Sequence, residues 1–335
     1  MDWPKVSFII PTLNAASVLP DCLAGIRIQD YPKDRIEIVV PDGGSTDTTR
    51  EIARSFGATV IDNPDRVAES GKRVALEKIT GDFVVFVDAD NELIQADFLR
   101  LAVEGLMRNP QALGVESYYL AGPKMNSLCI YLTQTLHISD PISWIMSVRP
   151  VFLGAENEVE RWTFPDGSLA FPLGANGFVY RRSDLDALRA AADFEDTHIA
   201  LRLVLAGKKE WLRLKNRGVR HYVVRGLSDF VRKRRRQTYH FLTLRRRSDL
   251  SWTKMKPRVS PLVACLYCAT LIGPVFHTVA GLIRTGDRHW LWHPVASLAS
   301  VAGLAWGVVT HWTTPRTAEA EARLQPVRRG DGPSG

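Results

Sequence analysis

Four short runs decide what this chain can fold into. Val6 to Ile10, Ile36 to Val40, Thr59 to Ile61 and Phe83 to Val87 are rich in β-branched or aromatic residues, and each is closed by Pro, Gly, Asn or Asp. Between them lie segments with apolar residues at helical spacing, clearest over Ala16 to Ile28, Thr48 to Phe56 and Ser70 to Ile79. Strand and helix alternate, which predicts an α/β fold: a mostly parallel sheet with helices on both faces. Ligands of such sheets bind beyond the carboxyl ends of the strands. Three polar turns therefore open on one edge: Pro11-Thr12-Leu13-Asn14, the "PDGGSTD" of residues 41–47 and the "DADN" of residues 88–91. Beyond residue 100 the alternation fades. Residues 115–180 mix aromatics, prolines and glycines, and "FEDTHIALRLVLAG" then reads as a helix stopped by Gly207.

A second constraint comes late in the chain. From Val259 to Ile283 there is no formal charge, and another uncharged stretch runs from His289 to Pro315 with Trp290, Trp292 and Trp312 near its ends. At ~1.5 Å per residue each stretch is long enough for a hydrocarbon layer of ~30 Å, and the tryptophans suit an aromatic belt. Gly273 and Pro274 predict a kink in the first stretch. The expectation is a two-helix transmembrane hairpin, 259–283 and 290–312 within 259–315; two buried core helices of a soluble domain are the alternative. Six Lys and Arg in the fifteen residues before the first stretch, and Arg316, Arg323, Arg328 and Arg329 after the second, outnumber Arg284 and Arg288 between them. Positive-inside counting then places both termini in the cytoplasm, on an inner membrane crossed twice. No secretory signal precedes the first strand, and the tail over 316–335 reads as disordered.

Charge is concentrated rather than spread. Residues 230–258 hold eleven Lys and Arg against one acid, Asp249, whereas the rest of the chain has 32 cations against 35 acids. The basic belt abuts an apolar span and lacks interleaved stacking aromatics, so nucleic acid is excluded as its partner. Anionic headgroups suit it, over an amphipathic interfacial segment 229–258 that follows a catalytic domain of residues 1–228. Four cysteines form neither a zinc pattern nor a disulfide frame; Cys265 and Cys268 read as small hydrophobes of a helix.

Asp88 and Asp90, delivered by a buried strand, are hard oxygen ligands suited to Mg²⁺ or Mn²⁺ on a diphosphate, or a solvated turn. Asp42 can accept the imide N–H of a nucleobase, and Gly43 and Gly44 let the backbone pass close to a ligand. Ser45 is expected to cap the helix begun by Asp47 and Thr48. Lys72 and Arg73, in "ESGKRV", are either diphosphate contacts or a solvated helix start; the segment lacks the spacing of a phosphate-binding P-loop. Residues 125–150 are apolar around Asp140 and Pro141, and form either an acceptor path or a core helix and turn, with His137 packed inside.

In this order and at these separations, "VSFIIPTLN", "IVVPDGGSTDTT", "GDFVVFVDADN", "LGANGFVYRR" and "FEDTHIALRL" resemble the family 2 glycosyltransferases of the GT-A fold. The resemblance covers residues 5–240. It implies inverting transfer of a sugar from a nucleotide-diphosphate donor with a divalent metal, Mg²⁺ or Mn²⁺. Thr12, Asn14 and Asp42 would hold the nucleoside, with Pro11 in the same turn, Asp88 would face the ribose or the metal, and Asp90 would ligate the metal. Asp196, with Glu195 beside it, looks like the general base, a helix cap being the other reading. "RKRRRQTYHF" resembles the family's diphosphate clamp only loosely: Arg235 and Arg236 suit a phosphate grip, but Gln237 is followed three residues on by His240 instead of Arg. A catalytic domain tethered to a bilayer implies a lipid-linked acceptor, such as a polyprenyl phosphate, a polyprenyl-diphosphate-linked glycan or a glycolipid. A nucleotidyltransferase of similar fold and a non-catalytic membrane scaffold are the rivals, and a homo-oligomer is left open.

Overall fold

The computed structural model describes residues 2–137, 140–165, 173–174, 176–188, 196–244 and 257–313. The chain divides into two compact units. One is drawn chiefly from Met1–Leu120 and Arg149–His221, the other from Ala121–Val148 and Tyr222–Pro326.

The first unit is built on one mixed sheet. Its elements are β1 (Val6–Ile9), α1 (Leu19–Arg27), β2 (Ile36–Asp42), α2 (Thr49–Ser55), β3 (Thr59–Asp62), α3 (Ala68–Leu76), β4 (Phe83–Phe86), β5 (Asn91–Leu93), α4 (Phe98–Arg108) and β6 (Val115–Tyr119). After the chain's excursion into the other unit come β7 (Val151–Glu156), β8 (Val159–Thr163), β9 (Phe178–Arg181), α7 (Arg182–Leu188), α8 (Asp196–Leu205) and β10 (Glu210–His221). The strand order is β3-β2-β1-β4-β9-β6-β10-β8-β7, with β5 pairing β10. As expected, β1, β2, β3 and β4 are parallel, in a register that sets Val6 beside Ile36 and Ile9 beside Phe86. From β9 onward the pairing is mostly antiparallel, so the sheet is mixed beyond the alternating half.

Every side chain of β1 and β4 is buried, because helices cover both faces and a run of apolar residues without alternation suits that position. One core joins Phe8, Ile10, Val40 and Val85 of the strands to Leu19, Leu23, Phe98 and Leu99 of α1 and α4. The sheet's parallel half is thereby fixed, and the loops after β1, β2 and β4 leave it on one edge.

The second unit is helical: α5 (Ser127–Ile130), a π-helical turn over Tyr131–Thr135, α6 (Pro141–Met146), α9 (Leu227–Leu244), α10 (Pro261–Thr270), α11 (Ile272–Thr285) and α12 (His293–Thr313). Residues 121–148, expected within a catalytic domain ending at 228, thus belong with the helices instead, because Ile142 packs with Ala264 and Cys268 and against Leu304. Asp140 is fully buried. It caps α6 by accepting from the Ile142 and Ser143 amides at 2.8 and 3.3 Å, pairs with Arg234 at 3.1 Å and accepts from Ser300 at 3.1 Å. Asp-Pro here is an N-cap followed by proline at the first helical position, where the missing N–H is no loss.

The first apolar stretch is not one straight helix. α10 and α11 are bent by 77°, and the break falls at Leu271, which has φ 62°, rather than at Gly273–Pro274. Proline explains the register: its ring excludes the carbonyl four residues back, so α10 stops at Thr270 and Pro274 sits in the first turn of α11. Among the described residues, Arg288–Thr313 is long and apolar enough by composition to cross a membrane, whereas α10 and α11 reach that length only if the bent pair counts as one span.

Candidate active site at the carboxyl edge of the sheet

Asp42, at the end of β2, is 1% exposed. Its Oδ1 accepts from the Gly44 and Ser45 amides at 3.1 and 2.9 Å and from Arg50 at 3.2 Å; its Oδ2 accepts from Thr12 Oγ1 at 2.9 Å and Ser45 Oγ at 2.5 Å. Burial alone would raise this carboxyl. The hydrogen bonds from Ser45, Thr12 and Gly44 outweigh it and hold the group below its ordinary value. Five donors occupy a carboxylate with about four lone-pair sites, so a nucleobase imide reaches Asp42 only by displacing one of them. Arg50 goes on to Asp62 at 2.9 Å, whose side chain is 81% exposed.

The neighbouring turn closes on itself in the same way. Pro11 and Thr12 are buried. Asn14 (φ 50°) donates its amide to Ser45 Oγ at 2.8 Å, and its Oδ1 accepts the Thr46 amide at 2.8 Å. Ser45 therefore ties two loops together; Thr48 stands at the N-cap of α2 without a side-chain cap bond, and Asp47 before it accepts the Thr49 amide at 3.1 Å. Thr12, Asn14 and Asp42 thus form one preorganised rim across β1 and β2.

The carboxyl end of β4 carries the reactive charges. Lys72 is 3% exposed, so it is not a solvated helix start: its Nζ lies 3.5 Å from Asp88 Oδ1 and 5.7 Å from the centre of the Phe86 ring. The next residue on α3, Arg73, faces the other way and meets Asp65 at 3.9 Å with 45% of its side chain exposed. The Asp88 side chain is 43% exposed, and Asp90 accepts from Asn91 Nδ2 at 3.2 Å. Behind them, the Cys22 thiol is pushed up by burial first and then by the charges of Asp90 and Asp88. Hard oxygens with an open side fit a divalent cation that keeps water and phosphate oxygens in its shell. Among the described residues no group of three His, Cys, Asp or Glu converges.

Beside β4 the sequence left a part unassigned. Gly177 (φ 84°) donates its amide to Phe86 O at 2.7 Å, and a Cβ there would come within 2.9 Å of Val219. Asn176 (φ 53°) bonds Tyr119 Oη through Nδ2 at 3.0 Å and receives the Ser117 hydroxyl on its carbonyl. The Tyr119 ring lies 6.0 Å from His221, which pairs with Asn91 across β10 and β5. Asn63 Oδ1 and Asn176 Oδ1 are buried acceptors without a hydrogen-bond partner among the described residues. Two consecutive left-handed positions, Asn-Gly just before a strand, were the signal for this second half of the rim.

Asp196 is the first residue of α8, and Glu195 lies outside the described residues. Arg235, Arg236 and Gln237 lie on α9 of the helical unit: Arg235 sits 4.4 Å over Trp306, Gln237 accepts from Arg234 at 2.8 Å, and burial lowers Arg236 below its ordinary value. The second half of the basic belt, residues 245–256, lies outside the described residues.

A parallel half-sheet whose carboxyl rim carries a nucleoside-type loop and an Asp-x-Asp end with a buried lysine defines a nucleotide-sugar transferase fold of the GT-A type. Residues 7–121 match the model of glycosyl transferase family 2, so that part of the chain is similar to the family 2 glycosyltransferases. Glycosyltransferase AglE of Haloferax volcanii is 37% identical over 94 residues, 26% of this chain and 31% of its own. A PGL/p-HBAD biosynthesis glycosyltransferase of Mycobacterium bovis is 37% identical over 105 residues, 30% of this chain and 40% of its own. The match thus spans about a third of the length of these relatives. The mannosyltransferase PcManGT of Pyrobaculum calidifontis, solved in complex with GDP-Man and Mn2+, shares the fold at a TM-score of 0.53 and 21% identity, over 92% of this chain and 87% of that one.

Proposed function

We propose that this protein is an inverting, metal-dependent glycosyltransferase that moves a sugar from a nucleotide-diphosphate donor to a lipid-linked acceptor at a membrane. The carrying observation is the Lys72–Asp88 pair at the end of β4, with Asp90 two residues on and the Thr12–Asp42 rim next to it. Asp88 offsets the burial of the Lys72 ammonium, and a divalent cation on the two carboxylates would turn the net negative charge of the three groups positive, the sign a diphosphate needs.

Asp90, with Asp88, would hold a divalent cation, which supplies charge neutralisation to the departing nucleoside diphosphate. Lys72 adds a fixed positive charge to the same phosphate oxygens as the anomeric C–O bond breaks. The acceptor oxygen attacks the anomeric carbon from the other side: a glycolipid or glycan hydroxyl passes its proton to the carboxylate of Asp196, whereas the phosphate oxygen of a polyprenyl phosphate attacks already ionised and needs no base. Thr12 and Asn14 border the nucleoside, while Asp42 holds their loop in shape. The lipid-linked acceptor, a polyprenyl phosphate or glycolipid, is supported by the apolar helical unit.

The experiment is a product assay on the full chain with nucleotide-sugars, Mn²⁺ and a polyprenyl phosphate. Release of nucleoside diphosphate that disappears in Asp90→Asn supports the reading. Release of pyrophosphate from a nucleoside triphosphate would assign nucleotidyl transfer instead, and full activity in Asp90→Asn would remove the metal role.

A further inference from the structure

The helical unit is built inside out. Its interior carries Asp140, Arg234, Ser297 and Ser300, together with Tyr267, whose hydroxyl joins His277 and His293 at 2.8 Å each. Its exterior carries Leu266, Ile272, Phe276 and Ile283 at 55, 80, 69 and 81% exposure, and most of the large apolar side chains exposed among the described residues lie on α10, α11 and α12. Polar inside and apolar outside is the reverse of what water selects, and it is what lipid selects.

The same unit does not offer two clean spans. α10 has ten residues and α11 fourteen, ~15 and ~21 Å of helix, each short of a ~30 Å hydrocarbon layer, and they meet at 77°. α12 is long enough, but α9 runs parallel along its second half. A Cβ at Gly303, the central residue of α12, would lie 2.5 Å from Arg234 Cβ, and one at Gly307 would lie 2.6 Å from Arg235 O. Arg232, Lys233, Arg235 and Arg236 therefore stand level with the middle and second half of α12, and the Arg232 side chain is 58% exposed. A row of cations at that depth is incompatible with hydrocarbon, whereas Arg235 over Trp306 and the 68%-exposed Trp312 suit the headgroup layer.

We infer that the unit is monotopic: the α10–α11 elbow enters one leaflet of a bilayer and turns back, while α9 and the second half of α12 stay among headgroups. The occupant of the apolar face is lipid. The polar turn with Arg284, Asp287 and Arg288 then lies on the same side of the membrane as α9, not across it. This refines the membrane reading given for the transferase and reads no transfer, so it stands or falls separately from that activity.

The test is sidedness of the full chain in membranes of expressing cells. Single cysteines at Arg284→Cys and Arg232→Cys are labelled with a membrane-impermeant maleimide in spheroplasts and in inverted vesicles, the wild type serving as blank. Both positions should react at least tenfold more in inverted vesicles than in spheroplasts, and Ile272→Asp with Ile283→Asp should move most of the protein to the soluble fraction with unchanged helix content by circular dichroism. Labelling of Arg284→Cys in spheroplasts alone establishes a crossing hairpin and overturns the inference. So does a wild-type chain recovered soluble without detergent, or a detergent-free dimer that shields the elbow.

Discussion

At the residue scale the two informative groups are Lys72 and Asp42, and they differ in what the sequence disclosed. Lys72 read equally as a phosphate contact or a solvated helix start; packing decides, since 3% exposure and 3.5 Å to Asp88 leave it no solvent role. Replacement by a similarly shaped apolar residue removes charge without opening a cavity. Lys72→Met should therefore lower kcat by ~10²–10³, as loss of a transition-state cation does, and it should also lower the melting temperature, because it removes one partner of the pair and leaves the Asp88 carboxylate uncompensated, a cost moderated by the 43% exposure of Asp88. A steady-state assay beside a thermal melt checks both halves. Asp42 was legible as a carboxylate at the rim, but that five donors consume its oxygens was not, because those donors come from two loops and a helix. Asp42→Asn should cost ~1–3 kcal/mol through unsatisfied buried donors. The sign with pH follows from the lowered folded value. Folding favours the ionised form, so the contribution is complete well above the ordinary carboxylate value of ~3.9 and is lost as pH falls through the lower folded value. The gap in melting temperature between wild type and Asp42→Asn should therefore be constant from pH 7 to 6 and shrink below pH 4; a gap that widens on acidification contradicts it.

At the element scale, apolar periodicity located β1, β2, β3 and β4 and the helices between them to within a few residues, because each is defined by local sequence and by the same two-faced burial. It did not give the break at Leu271. An uncharged run says only that a segment avoids water, whereas the bend depends on where Pro274 can be tolerated, and that is the first turn of a new helix. Nor did it show that Gly303 and Gly307 of α12 are the surface on which α9 lies, since a glycine's reason for being there is its neighbour across the contact. Filling that contact is a direct check. With only 2.5 Å to Arg234 Cβ and 2.9 Å to Val231 O, Gly303→Val should destabilise the helical unit by ~1–3 kcal/mol through overpacking. Ala302→Val, on the exposed side of the same helix, should be close to neutral. Unfolding in mild detergent, followed by helical circular dichroism, compares the two; equal stabilities would mean that α9 does not rest on Gly303.

At the scale of the whole molecule, the described residues form an apolar core in the sheet unit and another in the helical unit. Phe8, Val85 and Leu99 belong to a core confined to the sheet unit, and Ile142, Ala264 and Cys268 to one confined to the helices. The sequence reading drew one boundary at residue 228, whereas residues 121–148 group with the helical unit. Their mixed composition carries no period, and only the partners of Asp140 and Ile142 reveal where they pack. Two cores with different solvents should not answer to one ligand. A nucleoside diphosphate with Mn²⁺ bound at the rim of β1, β2 and β4 stabilises the folded sheet unit by mass action, by ~2.7 kcal/mol at a hundredfold excess over Kd. Calorimetry of the full chain in lipid nanodiscs should resolve two transitions. The nucleotide should raise one of them by several degrees and leave the other in place, and exchange of lipid for detergent should do the reverse. The shift should vanish in Asp90→Asn, because the rim then loses the carboxylate that would tie cation and diphosphate together, while the position of both transitions without ligand stays unchanged. A single transition that moves as a whole with nucleotide would show instead that the two cores unfold as one cooperative body.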